Sequence, residues 1–166
     1  RRRDFTVNAM LEDPLTGEVI DPYGGRADLR RGLLRHVSPA FAEDPLRVLR
    51  AGRFAARFGW TVHPATSALC RELDLRELPR ERIEREWREI LVHGDFPGRG
   101  LTVLEACGAL RLLTEQEAFR GTPQDPVWHP EGDVLTHTAL CLDAAVHVRD
   151  AMDDAWLDML AVLCHD

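Results

Sequence analysis

From Ser38 onward, prolines open the amphipathic segments of this sequence and glycines close them, which confines the chain to short helices packed side by side. The stretch "SPAFAEDPLRVLRAGRFAARFG" starts on a Ser cap followed by Pro39 and stops at Gly59. At about 100° per residue, Val48, Ala51, Phe54, Ala55 and Phe58 fall on one side of it, and Arg50, Arg53 and Arg57 form a neighbouring stripe. A second helix is predicted over "HPATSALCRELDL", opened by Pro64. A third covers "PRERIEREWREILVHG", with Ile83, Trp87, Ile90 and Leu91 inward and Gly94 at its end, and a fourth covers "GLTVLEACGALRLL". The Pro-rich passage "GTPQDPVWHPEG" (121–132) marks a boundary, after which two helical stretches are expected at about 133–149 and 153–164.

The first 37 residues have another character. "NAMLEDPLTGEVID" (8–21) reads as two short extended runs joined by a turn containing Pro and Gly, a hairpin pattern. A turn at Gly24 and Gly25, a short helix from about Ala27 and a short strand over "LLRHV" (33–37) follow. No βαβ repeat is long enough for a parallel sheet, so this segment reads as the edge of a sheet domain.

Hydrophobic residues make up 45% of the 166, enough for a packed core. No apolar run approaches the ~18–20 residues that span a bilayer, and no signal-peptide segment follows "RRRDFTVNAM". The expectation is a cytoplasmic chain without membrane association. Cys70, Cys107, Cys141 and Cys164 lie far apart with no CxxC spacing, which argues against a disulfide framework or a zinc knuckle; they are expected to be buried free thiols. The net charge of −7 is unevenly spread. Residues 1–60 hold 11 Arg against 8 acids, 61–120 hold 9 against 11, and 121–166 hold 1 against 9. A mildly basic front joined to a strongly acidic back points to two functional parts.

The candidate chemistry sits in a few short stretches. "RRRDFTVNAM" offers Arg2, Asp4 and Asn8, and "EDPLRVLR" sets Glu43 and Asp44 at the mouth of a helix with Arg47 and Arg50 just inside. Acids there complement the helix dipole, whereas arginines oppose it and ask for a partner at that turn. Taken singly, each stretch also fits a solvated strand end or helix face. Taken together and in this order, "RRDFTVNAM", "DPYGGRADLRRGLLRHV", "EDPLRVLRAGRFAARFGW" and "ERIEREW" (81–87) closely resemble the second to fifth motifs of the class II tRNA nucleotidyltransferases, the family of the CCA-adding enzymes and bacterial poly(A) polymerases.

That resemblance implies a mainly α chain with three parts. They are a C-terminal remnant of a small α/β nucleotidyltransferase head (1–37), a helical neck and body (38–120), and the start of an all-α HD domain (121–166). It implies that Asp44 and Arg47 read the Watson–Crick edge of the incoming base. An ionised Asp only accepts and an Arg only donates, which suits the amino group and unprotonated ring nitrogen shared by cytosine and adenine. Arg50 and Arg2 are implied to contact the nucleotide's phosphates or sugar, and Arg2, Asp4 and Asn8 to surround the ribose. Gly24 and Gly25 resemble a turn that lets the head adjust between additions.

The family polymerises with Mg2+ held by a D-x-D carboxylate pair in its first motif, and this sequence contains no D-x-D. No catalytic residue is therefore assigned, and the 166 residues alone are expected to be inactive. "WHPEGDVLTHTAL" and "LAVLCHD" resemble the opening of an HD domain of the proteobacterial type. His137, His165 and Asp166 would then be three ligands of a transition metal such as Ni2+, with a fourth, an Asp, not in the sequence. His129 either belongs to that pocket or caps the next helix, and His36, His63, His93 and His147 read as structural. The expected function is addition of C and A nucleotides to the tRNA 3′ end, with tRNA, ATP and CTP as partners. The alternatives are an HD-type phosphohydrolase acting on 2′,3′-cyclic or 2′-phosphates, and a non-catalytic nucleotide- or tRNA-binding segment.

Overall fold

The computed structural model of the protein describes residues 3–112 and 121–165. Arg2 and Asp166, both expected site residues, lie outside the described residues, as does part of the boundary between the fourth helix and the Pro-rich passage.

The elements are short and mostly helical. After a 3-10 turn at Thr6–Asn8 come β1 (Leu11–Glu12), β2 (Val19–Ile20), α1 (Gly25–Arg31) and β3 (Leu33–Leu34). A second 3-10 turn at Pro39–Glu43 leads into α2 (Leu46–Phe58), β4 (Thr61–Val62), α3 (Pro64–Glu72), α4 (Arg80–Leu91) and α5 (Pro97–Ala106). Helices α6 (Val134–Ala145) and α7 (Ala155–Leu163) follow, joined by a 3-10 segment at Val146–Ala151.

The hairpin forms as expected, with Leu11 opposite Ile20 and Glu12 opposite Val19. The expectation of no parallel pairing is corrected: β3 and β4 run parallel, Leu33 beside Thr61 and Leu34 beside Val62, with α2 as the crossover. The pair is only two residues long, and its Leu34 is fully buried. The continuous helix expected from Ser38 is also corrected. Asp44 precedes Pro45 and takes φ −132°, ψ 97°, because a residue before proline is pushed out of the helical region. The 3-10 turn and α2 are thereby separated, and Asp44 stands in the break.

Helix α2 is the spine. Val48, Ala51, Ala55 and Ala56 are fully buried, whereas Phe58, expected inward, is 48% exposed and stacks on Trp60 at 4.6 Å. Gly52 lets α5 approach: a Cβ there would lie 2.6 Å from the Leu104 side chain. One hydrophobic cluster runs from Phe5 through α2, α4 and α5 to Met159 and Leu163. Helix α6 is capped by Asp133, which accepts from Thr136 N–H at 3.0 Å. It docks on α5 where Gly98 N–H donates to Asp143 Oδ1 at 2.7 Å. Arg149 donates to the carbonyls of Leu91 and Gly94 at 3.1 and 2.7 Å, fastening the C-terminal helices to the end of α4. Among the described residues, no helix is long and apolar enough to cross a membrane.

Candidate nucleotide-selecting site and histidine cluster

Phe5 brings together the turn that carries Asp4 and the segment that carries Asp44 and Arg47. It is fully buried, 5.6 Å from the Phe41 ring and edge-on to Phe54 at 5.7 Å. Burying such a side chain contributes about 1.5–3 kcal/mol. This docks the turn carrying Asp4 and Asn8 onto the start of α2. The turn is held further by Thr6 N–H on Arg35 O at 2.9 Å and by Thr6 Oγ1 on Asp28 Oδ2 at 2.8 Å.

An open cleft of about 510 Å³ lies against this junction, lined by Arg3, Asp4, Asn8, Asp44, Leu46, Arg47, Arg50 and Arg82. Five of the six expected nucleotide residues therefore share one cleft: Asp4, Asn8, Asp44, Arg47 and Arg50. Arg50 is committed to Asp4, donating through Nε and Nη2 to Oδ2 at 2.9 and 2.5 Å. Asp4 Oδ1 accepts from Phe5 N–H at 2.8 Å and Asn8 Nδ2 at 3.1 Å. Burial pushes the Asp4 carboxyl up, but the hydrogen bonds from Arg50, Asn8 and Phe5 outweigh it and hold it below the usual carboxylate range.

Arg47 is nearly buried, with Nη1 donating to Ala40 O at 2.6 Å and its guanidinium 6.0 Å from the Phe41 ring centre. Asp44 Oδ1 accepts from Leu46 N–H at 3.2 Å, and Oδ2 lies 3.4 Å from Arg82 Nη2. Arg82 and Arg3 were not singled out from the sequence. Arg82 lies within "ERIEREW", so its motif was visible although its partner was not. In the same motif Glu86 is buried, with Oε1 3.4 Å from Arg53 Nη1, and burial pushes its carboxyl up. Gly25 packs with its Cα face against the Thr6 carbonyl, where a Cβ would come within 2.3 Å.

The second constellation lies between α6 and the end of α7. His137 Nε2 is 3.2 Å from His165 Nε2, so two of the three expected metal ligands meet. Glu131 Oε1 accepts from His137 Nδ1 at 2.5 Å and lies 3.3 Å from His129 Nδ1, which puts His129 in the cluster, its ring edge-on to His137 at 4.7 Å. Cys141 Sγ is 3.3 Å from His137 Nε2. Cys70 and Cys107 are buried as expected, but Cys141 is half-buried and Cys164 exposed, a correction to the reading of all four thiols as core. The sequence places His137 and Cys141 four apart, one turn of a single helix face; that signal for the thiol was available.

A cleft that offers a carboxylate and a guanidinium at a helix start, backed by further arginines, suits a polar ligand that carries negative charge. Residues 1–35 match the family described as the Poly A polymerase head domain. The Multifunctional CCA protein of Halorhodospira halophila is 48% identical over 172 residues, 99% of this chain and 40% of that protein. The Thermotoga maritima CCA-adding enzyme complexed with tRNA matches at TM-score 0.68 and 25% identity over 98% of this chain and 39% of that one. A CCA-adding enzyme complexed with ATP matches at TM-score 0.68 and 26% identity over 98% and 38%. The chain belongs to the family of the CCA-adding enzymes and poly(A) polymerases, and it spans about 40% of the length of the curated relatives it matches.

Proposed function

We propose that this chain is the nucleotide-selecting and tRNA-facing segment of a CCA-adding tRNA nucleotidyltransferase, with ATP, CTP and tRNA as its ligands. The observation that carries the reading is the shared cleft at the start of α2. There Asp44 and Arg47 stand within one turn, each held by backbone groups of the Pro39–Leu46 segment. Asp44 is the acceptor for an exocyclic amino group, and Arg47 the donor to an unprotonated ring nitrogen. Uracil and guanine present a carbonyl to the carboxylate and a ring N–H to the guanidinium, and a site whose polar groups go unpaired rejects strongly. Asp4 and Asn8 face the sugar in this reading, with Arg50 bridging them to α2. The Mg2+ of nucleotidyl transfer needs a paired-carboxylate donor set that these residues do not supply, so no transfer step is assigned to them.

The parts follow the three-segment reading: head remnant 1–37, neck and body 38–120, HD-type start 121–166. In the last of these, His137 and His165 fit a transition metal such as Ni2+, with their Nε2 atoms turned toward one another. A metal bound there would supply an activated water for a 2′-phosphate or 2′,3′-cyclic phosphate. That second activity is favoured by the histidine cluster.

The test is a chimera in which this chain replaces the matching segment of the Halorhodospira halophila protein. With ATP, CTP and Mg2+ it extends tRNA lacking its CCA end. A folded chimera that adds no C or A overturns the reading.

A further inference from the structure

We propose that Cys141 is a thiolate ligand of the metal site formed with His137 and His165, which makes the site selective for a borderline-soft divalent ion such as Zn2+, Co2+ or Ni2+. The proposal rests on the metal-site reading above and adds a ligand which that reading did not include.

The Nδ1 atoms of both rings face acceptors, which favours one tautomer. His165 Nδ1 lies 2.7 Å from Val162 O, an acceptor, so that nitrogen carries a proton. His137 Nδ1 lies 2.5 Å from Glu131 Oε1, so it too carries the proton. In the neutral rings both lone pairs then sit on Nε2, the two atoms that face each other. A carboxylate or carbonyl behind each ligating ring is the usual support of a metal-bound histidine.

The spacing fits coordination. Zn–N bonds of about 2.0–2.1 Å and a Zn–S bond of about 2.3 Å give tetrahedral edges of roughly 3.3–3.6 Å. His137 Nε2 stands 3.2 Å from His165 Nε2 and 3.3 Å from Cys141 Sγ, and all three ligand atoms lie within 4.8 Å of one another. The i, i+4 spacing on α6 holds His137 and Cys141 on one face, and Asp154 at the start of α7 caps the helix that delivers His165. A metal ion entering here displaces the thiol proton to solvent and keeps the sulfur as thiolate. Thiolate with two imidazoles favours borderline-soft ions over Mg2+ or Mn2+.

Titration of the metal-free chain with Co2+ tests this by absorption. The expected result is a tetrahedral visible spectrum with a thiolate-to-cobalt charge-transfer band in the near ultraviolet. Cys141→Ser loses that band while still binding Co2+, Cys164→Ser keeps it, and Glu131→Gln weakens binding about 10- to 100-fold. Excess Mg2+ leaves the spectrum unchanged. Co2+ binding without the charge-transfer band in the unaltered chain, or a band lost only in Cys164→Ser, overturns the ligand role of Cys141 while the histidine site stands. Failure to bind Co2+ at all overturns both. The unaltered chain's own spectrum decides the matter even if the Cys141 variant does not fold.

Discussion

Arg50 reaches across 46 residues of sequence to place both Nε and Nη2 on one oxygen of Asp4, at 2.9 and 2.5 Å. The pair joins the turn before Thr6 to the second turn of α2, and its aspartate is almost wholly buried. Removing Asp4 therefore frees Arg50 and removes the acceptor for both Asn8 and Phe5 N–H. In the chimera, Asp4→Ala narrows the preference for NTP over dNTP if these groups surround the ribose. Activity that falls with the NTP/dNTP ratio intact assigns Asp4 to folding alone.

Acid sensitivity follows from the same carboxylate and from Asp28. Burial raises the Asp28 carboxyl, but hydrogen bonds from Arg35 and Thr6 carry it below its ordinary value. For both groups the folded-state pKa is depressed from 3.8, so their stabilisation is present above about pH 4 and is lost as pH falls through the folded values. Glu86 works with the opposite sign: its folded pKa is raised, so its contribution is fully present below pH 4.5 and fades as pH rises. Urea unfolding between pH 2.5 and 7 is expected to show stability falling at the acid end. Asp4→Asn and Asp28→Asn each flatten that fall; an unchanged slope in both contradicts the assignment.

Much of this arrangement was legible in sequence, and the misses have physical causes. The stop at Gly59 and the start at Pro64 followed from residues that act on the backbone locally, whereas Pro39 opens only a 3-10 turn and α4 ends at Leu91, short of Gly94. The helix mouth at Asp44 was legible in "EDPLRVLR", whereas the Ser38–Pro39 start pointed to one helix running through it. Phe58 was misplaced because periodicity gives direction around a helix and not what packs there; Trp60, beyond the helix, covers it instead. The parallel β3–β4 pair was missed because two-residue strands leave no pattern. Arg82 on Asp44, and Glu131 on His137, depend on long-range or loop geometry that spacing does not encode.

The join between α5 and α6 predicts a packing effect. A Cβ at Gly98 would meet the Ala139 carbonyl oxygen at 2.1 Å, with backbone rather than a flexible side chain in the way. Gly98→Ala is expected to cost about 1–3 kcal/mol, a fall in Tm of several degrees for a chain of this size. A Tm equal to the unaltered chain's would show that α6 does not dock on α5 in this way.

The 166 residues alone are expected to add no nucleotides. Phosphoryl transfer relies on metal ions to neutralise the triphosphate and align the attacking hydroxyl, and the sequence has no paired D-x-D carboxylates. Incubation with tRNA lacking CCA, labelled ATP and CTP, and Mg2+ checks this. Extension abolished by Arg47→Ala would contradict it, since the activity would then belong to this chain.

The central claim is that Asp44 and Arg47 choose the base, and kcat/KM for CTP, ATP and UTP in the chimera measures it most directly. Arg47→Ala is expected to lower the values for CTP and ATP alike, by about 1–3 kcal/mol of transition-state binding for one charged hydrogen bond lost. Asp44→Ala is expected also to raise UTP use relative to CTP. If Arg47→Ala leaves both values unchanged, and Asp44→Ala leaves UTP rejected as before, the cleft at the start of α2 does not read the base.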